Sequence, residues 1–170
     1  MKHLLFVILV SVGVCLSADP LAGASTEPIV MEATINAPID EVWKIWTTKE
    51  GMESWMVTKT EIDLRVGGTW RTSYSKDSNL EDDTSIHHTI LAYDPGRMFS
   101  FRTVKTPKNF PFASAISKTW TVVYFEPLGA RTKVTIRMLG YSEDDESQRM
   151  RAFFEKGNKA TLENLLKKFP

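Results

Sequence analysis

The chain has 170 residues, 42% of them hydrophobic, and its 21 Lys and Arg residues balance its 21 Asp and Glu residues. This composition is typical of one globular domain. A neutral chain with scattered basic residues lacks the electrostatic field that collects nucleic acid or anionic lipid, so we predict no nucleic-acid partner.

The N-terminus has the pattern of a secretory signal. A lysine and a histidine precede an apolar run that begins at Leu4 and continues to Leu16, and small residues follow at 22–24. This order predicts cleavage near Ala24. The run is too short to span a bilayer, which takes ~20 residues. We therefore predict a signal peptide at residues 1–24 and a secreted or periplasmic mature protein with no membrane span.

The single cysteine, Cys15, lies inside this segment. A lipoprotein signal would be cut just before it, but such a site needs a small residue where Val14 stands, so we predict no lipid anchor at Cys15. The mature chain then has no cysteine, which excludes disulfides, thiol catalysis and thiolate metal sites. Stability must come from an ordinary hydrophobic core.

The first part of the mature chain predicts one strand and two short helices. After a short lead-in at residues 25–28, the domain is predicted to span residues 29–170. Apolar and polar residues alternate from Ile29 to Asn36, which is the period of a strand. Apolar residues then recur at helical spacing between Ile39 and Trp46, and a second short helix is predicted from Lys49 to Trp55.

Six more strands are predicted in the middle of the chain, where glycine- and proline-containing turns separate the segments. They are Lys59–Val66, Thr69–Lys76, Ser85–Tyr93, Met98–Val104, Lys118–Phe125 and Arg131–Leu139. The stretch from Thr106 to Ser117 carries two prolines and is predicted to be irregular. Strands joined by short turns indicate an antiparallel sheet.

The last segment has the period of a helix. Ser142 is a candidate N-cap, and the acidic residues at 143–146 suit a first helical turn. An apolar stripe from Met150 to Leu166 predicts a helix of ~25 residues, ~37 Å long. The predicted fold is therefore α+β: a curved seven-stranded antiparallel sheet wraps this long helix, and a cavity lies between them.

Several segments, taken in order, resemble the helix-grip superfamily of START, birch-pollen-allergen and polyketide-cyclase proteins, called SRPBCC. Within it, the chain is most similar to the branch named after the C-terminal domain of the heat-shock-protein-90 ATPase activator. The segments that carry the resemblance are 37–43, Trp55, 63–68, 93–97, 130–136 and 162–166. The resemblance runs from about Ile29 to Phe169 and implies the helix-grip fold.

The resemblance implies a fold more than a function, since its members include lipid carriers, hormone sensors, cyclases and co-chaperones. Two features separate the chain from the named branch. Many members of that branch carry Gly-Trp in the last helix, where this chain has Gly157-Asn158. The export signal also places the chain away from the heat-shock protein and its ATP, so a co-chaperone role is not expected.

His87 and His88 are the only histidines of the mature chain. Neighbours on a strand point to opposite faces, so the two cannot easily hold one metal ion, and we predict no metal site and no cofactor. One of them could act as a proton carrier or as a polar anchor for a ligand. No serine lies in a nucleophile elbow.

All five tryptophans fall in the mature chain. With other large side chains they are predicted to form the wall of a ligand cavity. The predicted wall consists of Trp46, Trp55, Trp70, Tyr74, His88, Phe99, Phe101, Trp120, Tyr124, Met138, Met150 and Phe154. A shift of the strand faces by one residue would exchange Trp120 and Tyr124 for Thr119 and Val123. Alternatively, these side chains meet and leave no void.

The sequence thus favours an exported, non-enzymatic protein that binds an apolar or amphipathic small molecule as a monomer or weak dimer. An enzyme of cyclase, hydrolase or isomerase type that uses His87 or His88 is one alternative. A protein-interaction module related to the heat-shock ATPase activator domain is another.

Overall fold

The computed structural model describes residues 24–170, so the predicted signal peptide, apart from Ala24, lies outside the described residues together with Cys15. Eleven elements follow one another in this part of the chain. They are β1 Ile29–Ile35, α1 Ile39–Thr47, α2 Lys49–Glu53, β2 Lys59–Ile62, β3 Thr69–Ser73, β4 Ile86–Asp94, β5 Met98–Lys105, α3 Ala113–Ile116, β6 Trp120–Leu128, β7 Arg131–Leu139 and α4 Asp145–Lys168.

The seven strands form one curved sheet in the order β1-β7-β6-β5-β4-β3-β2, and every neighbouring pair is antiparallel. The first strand in the chain therefore pairs with the last, while the others follow as a meander. Short helices α1 and α2 connect the opposite edges, β1 and β2, and α4 ends the chain. This arrangement confirms the predicted α+β helix-grip fold.

Two hydrophobic clusters hold the helices on the sheet. The larger one contains Val42 of α1, Phe99 of β5 and Leu165 near the end of α4, all fully buried. The smaller one joins Met150, near the start of α4, to Ile116 of α3. Because α4 is anchored near both ends, its middle turns bridge the space between the two clusters.

The N-cap of helix α4 lies two residues later than predicted. Asp144 is the N-cap, and its Oδ1 accepts a hydrogen bond from the backbone N–H of Ser147 at 2.9 Å. The Ser142 hydroxyl instead donates to Asp144 Oδ2 at 2.6 Å. Both residues suit an N-cap from sequence alone. The helix has 24 residues, close to the predicted length.

Several strand ends differ from the prediction by two to four residues, and the short helix α3 lies in the stretch that was predicted to be irregular. β2 ends at Ile62 because Gly67 and Gly68 leave its line and exchange backbone hydrogen bonds of 2.8 and 2.9 Å with Ile90. β6 runs on through Pro127, which pairs with Thr132 of β7. Proline has no N–H to donate, but β5 pairs with β6 only as far as Tyr124, so no ladder bond is lost there.

Candidate functional site

A cavity of about 520 Å³ lies between the inner face of the sheet and the middle of α4. Its walls come from β1, strands β3 to β7, the helices α1 and α3, the segment after α2, the loop after β5, and residues 153–162 of α4. Residues of both hydrophobic clusters take part, among them Val123 of the larger and Met138 of the smaller. The sheet curves away from a straight helix, so side chains fill the ends but not the centre.

Nine of the twelve predicted wall residues line this cavity. They are Trp46, Trp55, Trp70, Tyr74, His88, Phe101, Trp120, Met138 and Phe154. Tyr74 and Trp120 are 67% and 39% exposed, which places them at the rim, whereas Trp70 and His88 are buried. The sequence therefore predicted residues of both the rim and the interior.

Phe99, Tyr124 and Met150 lie elsewhere. Phe99 points inward but is fully buried, because the rings of Trp46 and Trp70 lie 6.4 and 6.2 Å from its own. Met150 is fully buried in the cluster with α3. Tyr124 is 41% exposed and outside the cavity lining, whereas its neighbour Val123 lines the cavity. At this point of β6 the inward-facing residue is thus Val123, as in the alternative prediction that shifts the strand face by one residue.

Internal contacts fix the aromatic rings of the wall. Trp70 Nε1 donates to Thr60 Oγ1 at 3.0 Å, and Trp55 Nε1 donates to the carbonyl of Ile45 at 3.2 Å. The Trp70 ring also meets Phe101 edge-on, with centroids 4.8 Å apart. A wall that is ordered before a ligand arrives loses little side-chain entropy on binding.

His88 is the titratable group best placed inside the cavity. Its ring lies 4.6 Å from Trp70 and 5.0 Å from Phe101, centroid to centroid. Burial, together with the neighbouring His87, lowers the pKa of His88 to about 3. The imidazole is therefore neutral at pH 7. A base this weak is poorly matched to proton transfer near neutral pH, which works best with a pKa near the working pH.

Only one ring nitrogen of His88 has a hydrogen-bond partner in the described part of the chain. Nδ1 shares a hydrogen bond of 3.1 Å with Thr103 Oγ1. Nε2 has no hydrogen bond within residues 24–170, yet it is not among the polar atoms that are closed off from solvent. Since His88 lines the cavity, Nε2 meets solvent there and can donate to or accept from a ligand, depending on the tautomer.

His87 points the other way, as the alternation along β4 predicts. Its Nε2 lies 2.8 Å from the carbonyl oxygen of Leu80 and 3.2 Å from the hydroxyl of Ser85, on the loop before β4. A β-bulge separates the two environments, because His88 pairs with Thr103 while His87 pairs with Lys105, so one residue of β5 is left over. His87 thus supports a loop, and His88 faces the cavity.

The polar side chains of the cavity wall were not predicted from the sequence. Thr72, Thr103, Thr121 and Asn158 line the cavity among the aromatic residues. Threonine in a strand and asparagine in a helix give no sign of facing a cavity. Only the position of Asn158, within the apolar stripe of α4, could have indicated it.

The wall of the cavity, as far as residues 24–170 form it, carries no ionised group at neutral pH. Within residues 24–170, none of the side chains that line it belongs to Asp, Glu, Lys or Arg, and His88 is neutral. In this part of the chain, no cluster of three or more His, Cys, Asp or Glu side chains could hold a metal ion. Its helices also include none long and apolar enough to cross a membrane. The site suits an uncharged apolar molecule.

Comparisons with solved structures agree with this fold. The Aha1 dimer from Colwellia psychrerythraea is 15% identical, with a TM-score of 0.65 over 84% of this chain and 95% of that one. An AHSA1-like protein from Aeromonas hydrophila is 19% identical, with a TM-score of 0.60 over 82% and 90%. CalU16 from Micromonospora echinospora is also 19% identical, with a TM-score of 0.57 over 81% and 71%. At these identities the likeness shows the fold.

No curated protein is significantly similar to the chain. Residues 36–169 match the family model described as Activator of Hsp90 ATPase homolog 1-like protein. That range covers α1, α4 and every lining residue of the cavity except Met31. This superfamily fold often binds hydrophobic ligands. The chain therefore belongs to the Activator of Hsp90 ATPase homolog 1-like family, within the SRPBCC superfamily of helix-grip proteins.

Proposed function

We propose that this protein is an exported, non-enzymatic carrier that holds an apolar or amphipathic small molecule between its sheet and α4. The observation that carries the proposal is the cavity of about 520 Å³ with an aromatic, uncharged wall. A pocket of this size that is mostly apolar, with a few placed polar groups, is typical of small-molecule sites. Transfer of ~200 Å² of ligand surface from water to this wall contributes ~5 kcal/mol before ordering costs.

Access to the cavity would be controlled at its rim. The loop after β5 contributes Thr106, Pro107 and Phe110 to the lining, and the segment after α2 contributes Trp55 and Met56. Neither segment is part of a strand. Displacement of either loop would open the cavity without breaking a strand pair.

Export belongs to the same proposal. The apolar segment at the N-terminus and the small residues before Ser25 support cleavage near Ala24. The mature protein would then act in the periplasm or outside the cell, as a monomer or weak dimer. N-terminal sequencing of the protein from an envelope fraction would test this, and recovery of a chain that still begins at Met1 would contradict it.

The carrier proposal is tested by titration with 1,6-diphenyl-1,3,5-hexatriene, a hydrocarbon whose fluorescence rises in an apolar site. We expect saturable binding at one site per chain. Phe101→Ala removes a wall ring and should weaken binding by about tenfold, whereas Tyr124→Ala removes an exposed ring outside the cavity lining and should have no effect. Absence of saturable binding, or equal losses in both variants, would refute the proposal.

A second measurement needs no chosen probe. Native mass spectrometry of gently purified protein would show a mass in excess of the chain if a ligand remains bound. Loss of that excess in Phe101→Ala, and not in Tyr124→Ala, would link it to the cavity.

A further inference from the structure

We infer that the cavity selects uncharged ligands with one neutral polar group, and that this group bonds to Nε2 of His88 while ionised carboxylates are rejected. The inference rests on the proposed carrier function, because it names the class of molecule that the same cavity takes. Three observations support it: the position of His88, the ring nitrogen that has no partner within residues 24–170, and the absence of ionised groups from the described wall.

The first observation is the depth of His88. It is 8% exposed, while Tyr74, Trp120 and Phe153 of the same lining are 67%, 39% and 52% exposed. A polar group that reaches His88 has therefore left bulk water. Such a group is stable only if it is hydrogen-bonded there.

The second observation is how the ring is held. Thr103 shares a hydrogen bond with Nδ1, and Trp70 and Phe101 pack against the ring within 5.0 Å. Nε2 is left as the open position. A threonine hydroxyl can either donate or accept, so the neutral ring can present Nε2 as an acceptor or as an N–H donor. A ligand hydroxyl fits both forms, and a carbonyl fits the second.

The third observation concerns charge. The described wall offers no Lys or Arg to pair with a carboxylate. Burial also holds His88 in its neutral form, so it supplies no positive charge at pH 7. A carboxylate at this depth would remain an unpaired buried charge, which is far more costly than a buried, bonded hydroxyl.

The aliphatic tail of such a ligand has a defined place. Phe101, Val123 and Ile136 continue the inner face of the sheet away from His88, and Phe154 and Leu162 of α4 lie across the cavity. These side chains offer only carbon surface to the ligand. The site therefore combines a buried polar point at His88 with a mostly apolar surface, interrupted by a few uncharged threonine and asparagine side chains. This suits a long-chain alcohol better than a charged molecule.

The test uses displacement of diphenylhexatriene from the full mature chain at pH 7 by 1-decanol and by sodium decanoate. The two competitors share their chain length and differ in the charge of the end group. We expect decanoate to compete at least about tenfold more weakly than decanol. Equal competition would overturn the inference and leave the carrier proposal intact. Failure of diphenylhexatriene itself to bind would instead remove the carrier proposal.

Variants of the two histidines identify the anchor. His88→Leu keeps an apolar wall and removes the polar atom, so it should weaken decanol about fivefold more than it weakens diphenylhexatriene, which is the value of one neutral hydrogen bond. His87→Leu is the matched control and should change neither. An unchanged competition by decanol in His88→Leu would overturn the role of His88.

A third variant keeps the test valid if His88→Leu misfolds, which a loss of diphenylhexatriene binding would reveal. Thr103→Val releases Nδ1 without touching Nε2, and should also weaken decanol relative to diphenylhexatriene because the ring loses its orientation. Full decanol affinity in Thr103→Val would contradict the orienting role of Thr103. If His88→Leu also misfolds, the same result would overturn the inference.

Discussion

Asn158 gives the sharpest test of whether the space beneath α4 is a binding cavity. It lies in the middle of the helix, between the anchors Met150 and Leu165, and it lines the cavity. The only hydrogen bond of its side chain within residues 24–170 is a contact of 2.9 Å between Nδ2 and the sulfur of Met138. Replacement of Asn158 by Trp would place a large ring where a ligand is proposed to bind.

The expected effect on stability follows from the area buried. A tryptophan side chain buries ~150–250 Å², and about half of this would lie against the cavity wall. At ~25 cal/mol per Å² this stabilises the folded state by about 2.5 kcal/mol. The loss of rotamer freedom of the tryptophan side chain offsets about 1 kcal/mol of this stabilisation. The net gain of about 1–2 kcal/mol corresponds to a rise in Tm of about 3–6 °C.

The expected effect on binding is the opposite. A cavity of ~150 Å³ holds a benzene molecule, so an indole takes up more than about a quarter of the 520 Å³ available. Diphenylhexatriene should then bind at least about tenfold more weakly. Stability is measured by thermal melting, and binding by fluorescence titration.

Lys159→Trp is the matched control, because it adds the same ring at an exposed position one residue along α4. It should leave binding unchanged. If Asn158→Trp binds the probe as well as the wild type, the cavity is not the binding site. If it melts well below the wild type, the space cannot accept the ring, and the volume argument is wrong.

Three further predictions concern stability. Burial lowers the pKa of His88 in the folded chain to about 3, from an ordinary 6.5. Between these two pH values only the unfolded chain takes up a proton at His88, so the free energy of unfolding should fall as the pH drops below 6.5, by about 2 kcal/mol at pH 5. His88→Gln should flatten this pH dependence in urea unfolding. Leu165→Ala should cost about 3 kcal/mol in urea unfolding, against under about 1 for exposed Leu166→Ala; equal costs would contradict the α4 anchor. Gly140→Ala should lower the free energy of unfolding by at least about 1–2 kcal/mol, because Gly140 has φ +90° and a Cβ would lie 2.5 Å from the carbonyl oxygen of Lys118; an unchanged Tm would refute this.

Local patterns in the chain were enough to predict the fold. Alternation along β1, β4 and β7 and the turn residues between strands depend on neighbours in sequence, and so does the apolar stripe of α4. The ends of elements were predicted less well. Ser142 and Asp144 are equally good caps by residue type, and only the path of the chain into α4 chose between them.

The site was predicted in part. Large aromatic residues on an amphipathic strand or helix face inward, so Trp46, Trp70 and Phe101 were placed correctly on the wall. β6 is apolar on both faces, and the prediction therefore could not settle whether Tyr124 or Val123 faces inward. The two differ because β6 packs between β5 and β7 in a register that involves three strands.

The sequence by itself determined the order of the elements apart from α3, the antiparallel sheet, the long terminal helix and the aromatic supply of its interior, because each depends on residues close together in the chain. Only the tertiary structure decided that the two ends of α4 are packed while its middle stands over an open cavity. It also decided that His88, rather than His87, faces that cavity with Thr103 beside it. These features depend on the curvature of the sheet and on one bulge in β5, and both arise from contacts between residues far apart in sequence.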